Sequence, residues 1–343
     1  MASVPAPTTR VRSWPLVLAL LLVAPVCAEY LSAYDPEVTG QPWQLLGGLA
    51  VLAPLYGAPA LLIRELAART AMHWTGILAL GTAFGVLQAG VVDQSLFAMH
   101  YMDYDSWRSW VEPTLLTPIG VSGAFALNFL AGHAVWSIGA PIALVESFDS
   151  SPGRRPWLRL PGTTVLVVLW VLASIAVWSD VRDAGSDQAS AGQLAGAVAV
   201  AAALVVVART FGRRTLPPPT DAPVPPPWLV VLGALVLALG YGLVPGTWLG
   251  VALGIAVLAL AAVLVTRWSR SARWGRAHVA ALAGGAVVAR AIGGIVTVAT
   301  THPRPSGGFA QTAVLVLLAA GLTIAALRVS AGPVRRDGRD VSA

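Results

Sequence analysis

Long apolar stretches recur along the whole chain, separated by short segments rich in Arg, Asp, Pro and Gly. About twenty apolar residues in an α-helix can cross a hydrocarbon core about 30 Å thick, because each residue adds about 1.5 Å. We therefore predict an all-α polytopic transmembrane helix bundle of about ten spans. The predicted spans cover residues 13–34, 42–63, 74–97, 117–146, 162–179, 191–208, 228–244, 248–266, 279–300 and 310–327.

The arginines fall almost entirely in alternate connections between these spans. Eighteen lie in the two terminal segments and in every second connection, including Arg64 and Arg69 after the second span, whereas the other connections hold Arg108, Arg182 and Arg304. Arginine-rich connections stay in the cytoplasm, so the pattern predicts that both ends are cytoplasmic. The resulting division is a six-span bundle at 1–209, a proline-rich cytoplasmic linker at 210–227, a four-span bundle at 228–328 and a cytoplasmic tail at 329–343.

The first apolar stretch has a second interpretation. Arg10 and Arg12 precede it, and its Val26-Cys27-Ala28 segment is similar to the cleavage site of a signal peptide. The apolar character continues beyond this segment as far as residue 34, which makes the stretch long enough to cross the membrane. We therefore expect a retained span and keep cleavage as the alternative. Attachment of a lipid at the cysteine is disfavoured by the bulky valine before it.

Composition agrees with a membrane protein and excludes several classes of function. Of the 343 residues, 56% are hydrophobic and 11% are charged, far below the roughly 25% charged residues of soluble domains. All 22 basic residues are arginines that lie mostly between spans, so the net charge of +6 reflects topology rather than nucleic-acid binding. The single cysteine excludes an internal disulfide and a cysteine-based metal cluster. We expect a multi-pass protein of the inner (plasma) membrane, and the lack of lysine is typical of a GC-rich bacterial genome.

Two connections have a distinctive composition. Residues 215–227 are proline-rich and predict a semi-rigid extended spacer, with recognition by a proline-binding partner as the alternative. Residues 98–113, on the outer side, interleave Tyr101, Tyr104, Trp107 and Trp110 with acidic residues. This spacing predicts a short helix that anchors in the outer interface, and the functional alternative is a lid over an outward-facing cavity.

Charged residues inside the predicted spans are the first candidates for a site, because ionisable groups are expensive to place in lipid. Arg290 lies near the middle of the ninth span, while Glu29 and Asp93 lie near the outer ends of the first and third spans. We predict that Arg290 pairs with Asp93 or Glu29 in an outer-leaflet pocket. The alternatives are a purely structural ion pair and carboxylates that reach the membrane surface.

Three further polar residues complete the candidate set for a substrate or ion pathway. His133 shares a helix face with small and hydroxylated residues and is a candidate proton relay, with a hydrogen bond to a neighbouring helix as the alternative. Gln88 lies on a glycine-rich face, which predicts a packing contact, and Asn128 lies on a different face from His133. Glycines repeated at 192 and 196, and at 246, 250 and 254, predict close helix contacts that include oligomer contacts.

One short motif suggests an enzyme. The segment 129–133, Phe-Leu-Ala-Gly-His, resembles the Phe-x-x-x-His motif of the CAAX-protease and bacteriocin-processing family of intramembrane metalloproteases. That family also has an adjacent glutamate pair followed by arginine and a second histidine motif, whereas the third span of this chain offers Gln88-Ala89 and Asp93. The resemblance covers five residues, and the missing glutamates argue against protease activity.

Three functions follow as hypotheses. The favoured one is a secondary transporter or permease for a small solute or cation, because charge lies near the midplane and eight carboxylates outnumber three arginines in the outer connections. The second is a metal-dependent hydrolase with His133, Asp93 and His100 as metal ligands. The third is a structural or assembly subunit of a membrane complex. We expect the lipid bilayer as a partner, no nucleic acid, and no cofactor, because the sequence has no phosphate loop or dinucleotide fingerprint.

Overall fold

The computed structural model describes residues 13–35, 38–151, 153–301, 303 and 305–331. It is 73% helical, and within the described ranges nine helical segments are long and apolar enough to cross a membrane. The predicted all-α membrane bundle is confirmed. These segments are α1 (Trp14–Ala28, extended by a 3-10 turn at Tyr30–Ser32), α2 (Pro42–Arg69), α3 (Trp74–Val92), α5 (Gly123–Glu146), α6 (Leu160–Asp183), α7 (Ala191–Phe211), α9 (Trp248–Ser269), α10 (Arg276–Thr300) and α11 (Gly308–Ala331).

Two shorter helices complete the helical framework. The helix α4 (Trp107–Val111) lies in the connection before α5, and α8 (Pro227–Gly242) is an apolar helix of 16 residues that precedes α9. The predicted boundaries agree with most helices to within about one turn. Three boundaries were wrong, and each has a local cause.

The second span was predicted to end before Arg64, but α2 continues to Arg69. The charged residues of its last turns form ion pairs inside the protein, so they do not need to leave the helix for solvent. The third span was predicted to reach residue 97, but α3 ends at Val92, so Asp93 follows the helix instead of lying within it.

The fourth span was predicted to begin at residue 117. Instead, β1 (Leu115–Leu116) and β2 (Val121–Ser122) pair antiparallel in a small hairpin, with Gly120 at a φ of 66° in the turn. Helix α5 therefore begins at Gly123, where the Ser122 hydroxyl caps it by accepting a hydrogen bond from the backbone N–H of Phe125.

Three spanning helices contain a π-helical segment: Ala53–Gly57 in α2, Gln88–Val92 in α3 and His133–Gly139 in α5. Such wide turns rotate the following side chains relative to an ideal α-helix and are frequent at functional sites. The π segments of α2 and α5 meet, because the rings of Tyr56 and His133 stack with their centroids 5.9 Å apart.

Contacts between connections define the two ends of the bundle. At one end the Arg154 guanidinium donates a hydrogen bond to the carbonyl of Met72 at 3.0 Å. We name this end the arginine-rich face. At the other end, named the opposite face, the backbone N–H of Met99 donates to the carboxylate of Asp187 at 2.9 Å.

Helix α10 occupies a central position in the bundle. One buried apolar cluster combines Cys27 and Leu31, from the start of the chain, with Ala283 and Val287 of α10. A methyl group built at Gly294 would lie 2.3 Å from the carbonyl oxygen of Leu31, so α10 runs directly against the turn after α1. This close approach brings the charged residues of α1 and α10 near each other.

The proline-rich linker is docked onto the bundle. The backbone N–H of Thr220 donates to the carbonyl of Arg270 at 2.8 Å, and the Ser271 hydroxyl donates to the carbonyl of Ala222 at 2.6 Å. The linker therefore runs along the connection between α9 and α10 at the arginine-rich face.

The short helix predicted among the outer aromatics is present as α4. Its Trp107 is only 8% exposed, stacks on Tyr101 at 4.5 Å and meets Phe125 of α5 edge-on at 4.8 Å. Trp110 is 51% exposed and is the residue of this helix that suits an interfacial anchor. The segment thus covers part of the opposite face and packs on α5.

The repeated glycines differ in their surroundings. A methyl group built at Gly254 would lie 2.8 Å from the Leu127 side chain, so this glycine serves packing inside the chain. Gly192 and Gly196 are exposed on α7. Oligomer formation through this face stays a prediction.

Candidate functional site

A cavity of about 1050 Å³ opens at the arginine-rich face. It lies between α2, α3, α5, α9, α10, the connection after α5 and the docked linker. Ala143 of α5 and Val279 of α10 mark how far it extends along these helices, and residues 217–219 of the linker border it. The cavity wall carries Arg64, Glu146, Asp149, Arg154, Arg270 and Arg276. Because these arginines outnumber the two carboxylates, the cavity favours anions over cations.

Arg64 is buried in the wall of this cavity with 1% of its surface exposed. Its Nε donates to Glu146 at 3.0 Å, and its Nη1 donates to Glu65 at 3.0 Å and to the carbonyl of Arg155. The guanidinium carbon also lies 3.7 Å from the ring centroid of Trp157. This arginine is therefore fully engaged within the protein.

The acidic partners of Arg64 fix the connection after α5. Glu65 accepts a hydrogen bond from the backbone N–H of Trp157 at 2.7 Å, and Asp149 accepts one from the indole N–H of the same tryptophan at 2.7 Å. Burial by itself raises the pKa of Asp149, but hydrogen bonds from Ser151 and Trp157 and the charge of Arg155 outweigh it and hold this pKa below its usual value. Glu65 and Asp149 therefore hold the connection after α5 in place. We name this connection, residues 147–151 and 153–159, the strap.

Glu146 joins the strap to the cavity. Arg154 binds it through two nitrogens, with Nε 2.7 Å from Oε1 and Nη2 2.8 Å from Oε2. Arg276 donates to the backbone carbonyls of Glu146 and Ser147 at 2.9 and 3.1 Å. The Glu146 carboxylate therefore binds arginines from α2 and from the connection after α5, while Arg276 of α10 binds the backbone at the end of α5.

These residues were missed in the sequence, where Arg64 was assigned to a cytoplasmic connection. The usable signal is the run from Ile63 through Arg69, which has no Gly or Pro and places Arg69 four residues after Glu65. This spacing supports a helix, because residues four apart lie on one face, and the two side chains are 3.5 Å apart in the structure.

A second polar cluster lies toward the opposite face, around Glu29 at the end of α1. Its carboxylate accepts a hydrogen bond from the Tyr34 hydroxyl. It also borders a cleft of about 120 Å³, together with Gly48 of α2 and Gln311 of α11. Glu29 is therefore accessible from the opposite face.

His133 lies in the π segment of α5, stacked on Tyr56 and 5.4 Å from the Phe84 ring. Its Nδ1 is 2.6 Å from the carbonyl oxygen of Phe129. Because a carbonyl can only accept, Nδ1 carries the proton and Nε2 is the acceptor of the neutral ring. This hydrogen bond joins two residues of α5 rather than two neighbouring helices, and the proton relay stays a prediction.

The predicted ion pair of Arg290 does not form as a direct contact. Within the described part of the chain, no carboxylate oxygen lies within 4.0 Å of its guanidinium, which sits over the Trp136 ring at 5.3 Å. Glu29 is nevertheless the strongest opposite charge acting on it. Asp93 instead accepts hydrogen bonds from the backbone N–H of Ser95 at 2.9 Å and from Gln88 at 3.4 Å, because it caps the turn after α3.

Two other candidates lie outside both clusters. Asn128 is exposed on α5, and His100 is exposed in the outer connection, where its backbone N–H donates to Asp187 at 2.7 Å. Among the residues that the structure describes, no group of three His, Cys, Asp or Glu side chains could hold a metal ion. The hypothetical metal site of His133, Asp93 and His100 is therefore not assembled.

The model of one family, an uncharacterized membrane protein family, matches residues 18–337, and the chain belongs to this family. No curated protein and no solved structure matches the chain.

Proposed function

We propose that this member of the uncharacterized membrane protein family is a secondary permease that moves a small polar solute across the plasma membrane. The observation that carries the proposal is a pair of openings at opposite ends of one bundle. The cavity of about 1050 Å³ opens at the arginine-rich face, and the cleft of about 120 Å³ opens at the opposite face. Both border α2, through Arg64 in the cavity and Gly48 in the cleft.

The region between the two openings supports a barrier that moves. Buried Cys27, Ala140, Leu144 and Val287 pack together there and separate the openings. A permease alternates access by rocking helices around a fixed site, and small buried residues let helices slide with little steric change. In this proposal the structure is open toward the arginine-rich face, which we place in the cytoplasm of a bacterial cell.

The alternative functions have less support. A metal-dependent hydrolase needs ligands that converge, and His133 and His100 lie in different environments, one enclosed by aromatic rings and one exposed. A purely structural subunit accounts for the fully paired Arg64, but it does not account for the unpaired Arg290.

The test uses single cysteines introduced into a Cys27→Ser protein. Membrane-impermeant thiol reagents applied from the arginine-rich face should label Ala143→Cys and Val279→Cys, whereas reagents applied from the opposite face should label Gly48→Cys. The lipid-facing Leu172→Cys is the control and should resist both. An unreactive Val279→Cys would contradict the proposed entrance.

Transport is then measured in proteoliposomes with labelled amino acids, amines and small carboxylates. We expect saturable uptake of at least one class and its loss when Val279→Cys is modified. If no class is taken up, the permease proposal fails.

A further inference from the structure

Arg290 lacks the partners that an arginine in a membrane helix requires. It lies in the middle of α10, its Nε is buried, and no group within the described residues accepts a hydrogen bond from that nitrogen. The Trp136 ring lies beside it at 5.3 Å, but an aromatic ring supplies no full negative charge. A cation in the middle of a membrane helix without a contacting anion is expected to take one from a ligand.

The helix surface beside this arginine is open. Gly293 lies three residues later on the same helix face, and a methyl group built there would meet no atom of another element within 4 Å. The next residue shows the contrast, because a methyl group at Gly294 would lie 2.3 Å from a backbone oxygen. The α10 surface is therefore open on the side of Arg290 and closed on the adjoining side.

Glu29 supplies an opposite charge that acts on Arg290. It accepts a hydrogen bond from Tyr34, lies beside Tyr56, and opens into the cleft at the opposite face. Gly294, one turn after Arg290, meets the backbone of Leu31, two residues after Glu29, so the end of α1 adjoins this part of α10. Within the described residues no contact of 4.0 Å or less joins the two charged groups, so the site presents one negative and one positive group that are not paired directly.

Resting on the proposed permease function, we infer that Glu29 and Arg290 form a two-point binding site for a small zwitterion that carries one ammonium and one carboxylate group. The carboxylate binds the guanidinium through paired hydrogen bonds over the Trp136 ring. The ammonium binds Glu29, where the rings of Tyr34 and Tyr56 also favour a cation.

The two charges select against simpler ions. An anion at Arg290 is repelled by Glu29, and a cation at Glu29 is repelled by Arg290. A zwitterion compensates both protein charges at once, so neither is left unpaired after the site loses water.

The test measures binding to the purified full chain and compares zwitterions with compounds that carry only a carboxylate or only an amine. β-Alanine, glycine and alanine should raise the unfolding temperature and give a saturable calorimetric signal, whereas propionate, acetate and ethylamine should not. Glu29→Gln and Arg290→Gln should each weaken β-alanine binding by about thirtyfold or more, because each leaves one end of the ligand unpaired. In Glu29→Gln, propionate should gain affinity relative to β-alanine, which a merely structural role would not produce.

Controls come from an exposed ion pair of the same residue types. Glu112→Gln and Arg108→Gln remove charges from a pair that is 2.7 Å apart on the surface, and they should leave binding unchanged. If a glutamine variant fails to fold, Glu29→Asp and Arg290→Lys keep the charge and should give intermediate losses. Equal binding of propionate and β-alanine, no binding of any zwitterion, or unchanged binding by both glutamine variants would overturn the inference.

The experiment also separates this inference from the permease proposal. If zwitterion binding depends on Glu29 and Arg290 but proteoliposomes show no uptake, the site is supported and the proposed permease function fails. If uptake persists in Glu29→Gln and Arg290→Gln, the proposed permease function is supported and the inferred binding site is contradicted.

Discussion

Arg64, which is buried, and Arg290, which is half-buried, illustrate how the same residue type serves different purposes. Arg64 donates to two carboxylates and a carbonyl and stacks on Trp157. Arg290 touches one aromatic ring and leaves its Nε without an acceptor. A fully paired charge holds structure together, whereas an unpaired one is free to bind something else. Stability should therefore depend on Arg64 and ligand binding on Arg290.

Removing Arg64 tests the structural role. Arg64→Ala leaves the buried Glu65 with only the partly exposed Arg69, 3.5 Å away, as its cation. Breaking a buried pair costs up to about 3–5 kcal/mol. Thermal unfolding in detergent should show a large fall in the midpoint. Arg108→Ala removes an arginine from the exposed pair with Glu112 and should leave the midpoint nearly unchanged, because water and salt screen such a pair. Similar midpoints for the two variants would show that the Arg64 network is not structural.

The strap after α5 should be sensitive to acid through Asp149. Its pKa in the folded protein is below the ordinary value of 3.8, so the ionised form stabilises the fold. This contribution is complete above the ordinary value and is lost as the pH falls through the lower folded pKa. Unfolding midpoints measured at decreasing pH should therefore drop less steeply in Asp149→Asn than in the wild type, and the exposed Asp105→Asn should follow the wild type. A wild-type slope in Asp149→Asn would contradict the assignment.

At the level of elements, the contacts of α10 decide where the charged groups lie. This helix contributes Ala283 and Val287 to a buried cluster, and its Gly294 touches the backbone of Leu31. Any residue larger than glycine at that position must push α10 away from the turn after α1. The separation of Glu29 and Arg290 is therefore set by one close backbone contact.

Adjacent glycines give a matched pair of variants. Gly294→Ala places a methyl group 2.3 Å from the Leu31 carbonyl oxygen and should lower the unfolding midpoint. Gly293→Ala meets open space and should leave the midpoint unchanged or raise it, because alanine favours a helix by about 0.8–1.0 kcal/mol over glycine. Calorimetric unfolding of both variants checks this order, and the reverse order would show that α10 does not approach the turn as described.

Hydropathy predicted the helices well and their irregularities poorly. The apolar stretches located all nine helices of the described residues that are long and apolar enough to cross a membrane, because length and apolarity are visible in the sequence. The π segments around Tyr56, Gln88 and His133 could not be predicted, because they depend on packing between helices rather than on local periodicity. The same reason explains the paired Arg64, whose partner Glu146 lies far along the chain.

At the level of the whole molecule, the candidate site was only partly predictable. Glu29 and Arg290 were identified from the sequence, because charged residues inside predicted spans need partners. The sequence could not show that they are not paired directly, since this follows from the position of α10. It also could not reveal the cavity at the arginine-rich face, which forms from α2, α3, α5, α9, α10, the strap and the docked linker.

The topology of the whole chain depends on α8, which has 16 residues and extends about 24 Å, less than a hydrocarbon core of about 30 Å. Thr220 precedes α8 and Arg270 follows α9, and their backbones are hydrogen-bonded at 2.8 Å. Two residues in contact lie on one side of the membrane, so the chain between them crosses an even number of times. Since α9 is long enough to span, we predict that α8 spans as well, with local thinning of the bilayer.

Reporter fusions test this arrangement directly. A fluorescent protein fused after residue 153 or 275 should be active, because it folds in the cytoplasm, and alkaline phosphatase fused after residue 105, 187 or 246 should be active, because it requires export. The decisive pair is 246 and 275. If both positions report the cytoplasm, α8 and α9 do not form two crossings, and the cavity between the linker and α10 could not open at a membrane face as proposed. If they report opposite sides, the Arg270 end of α9 shares the cytoplasm with Arg154, as the positive-inside distribution requires.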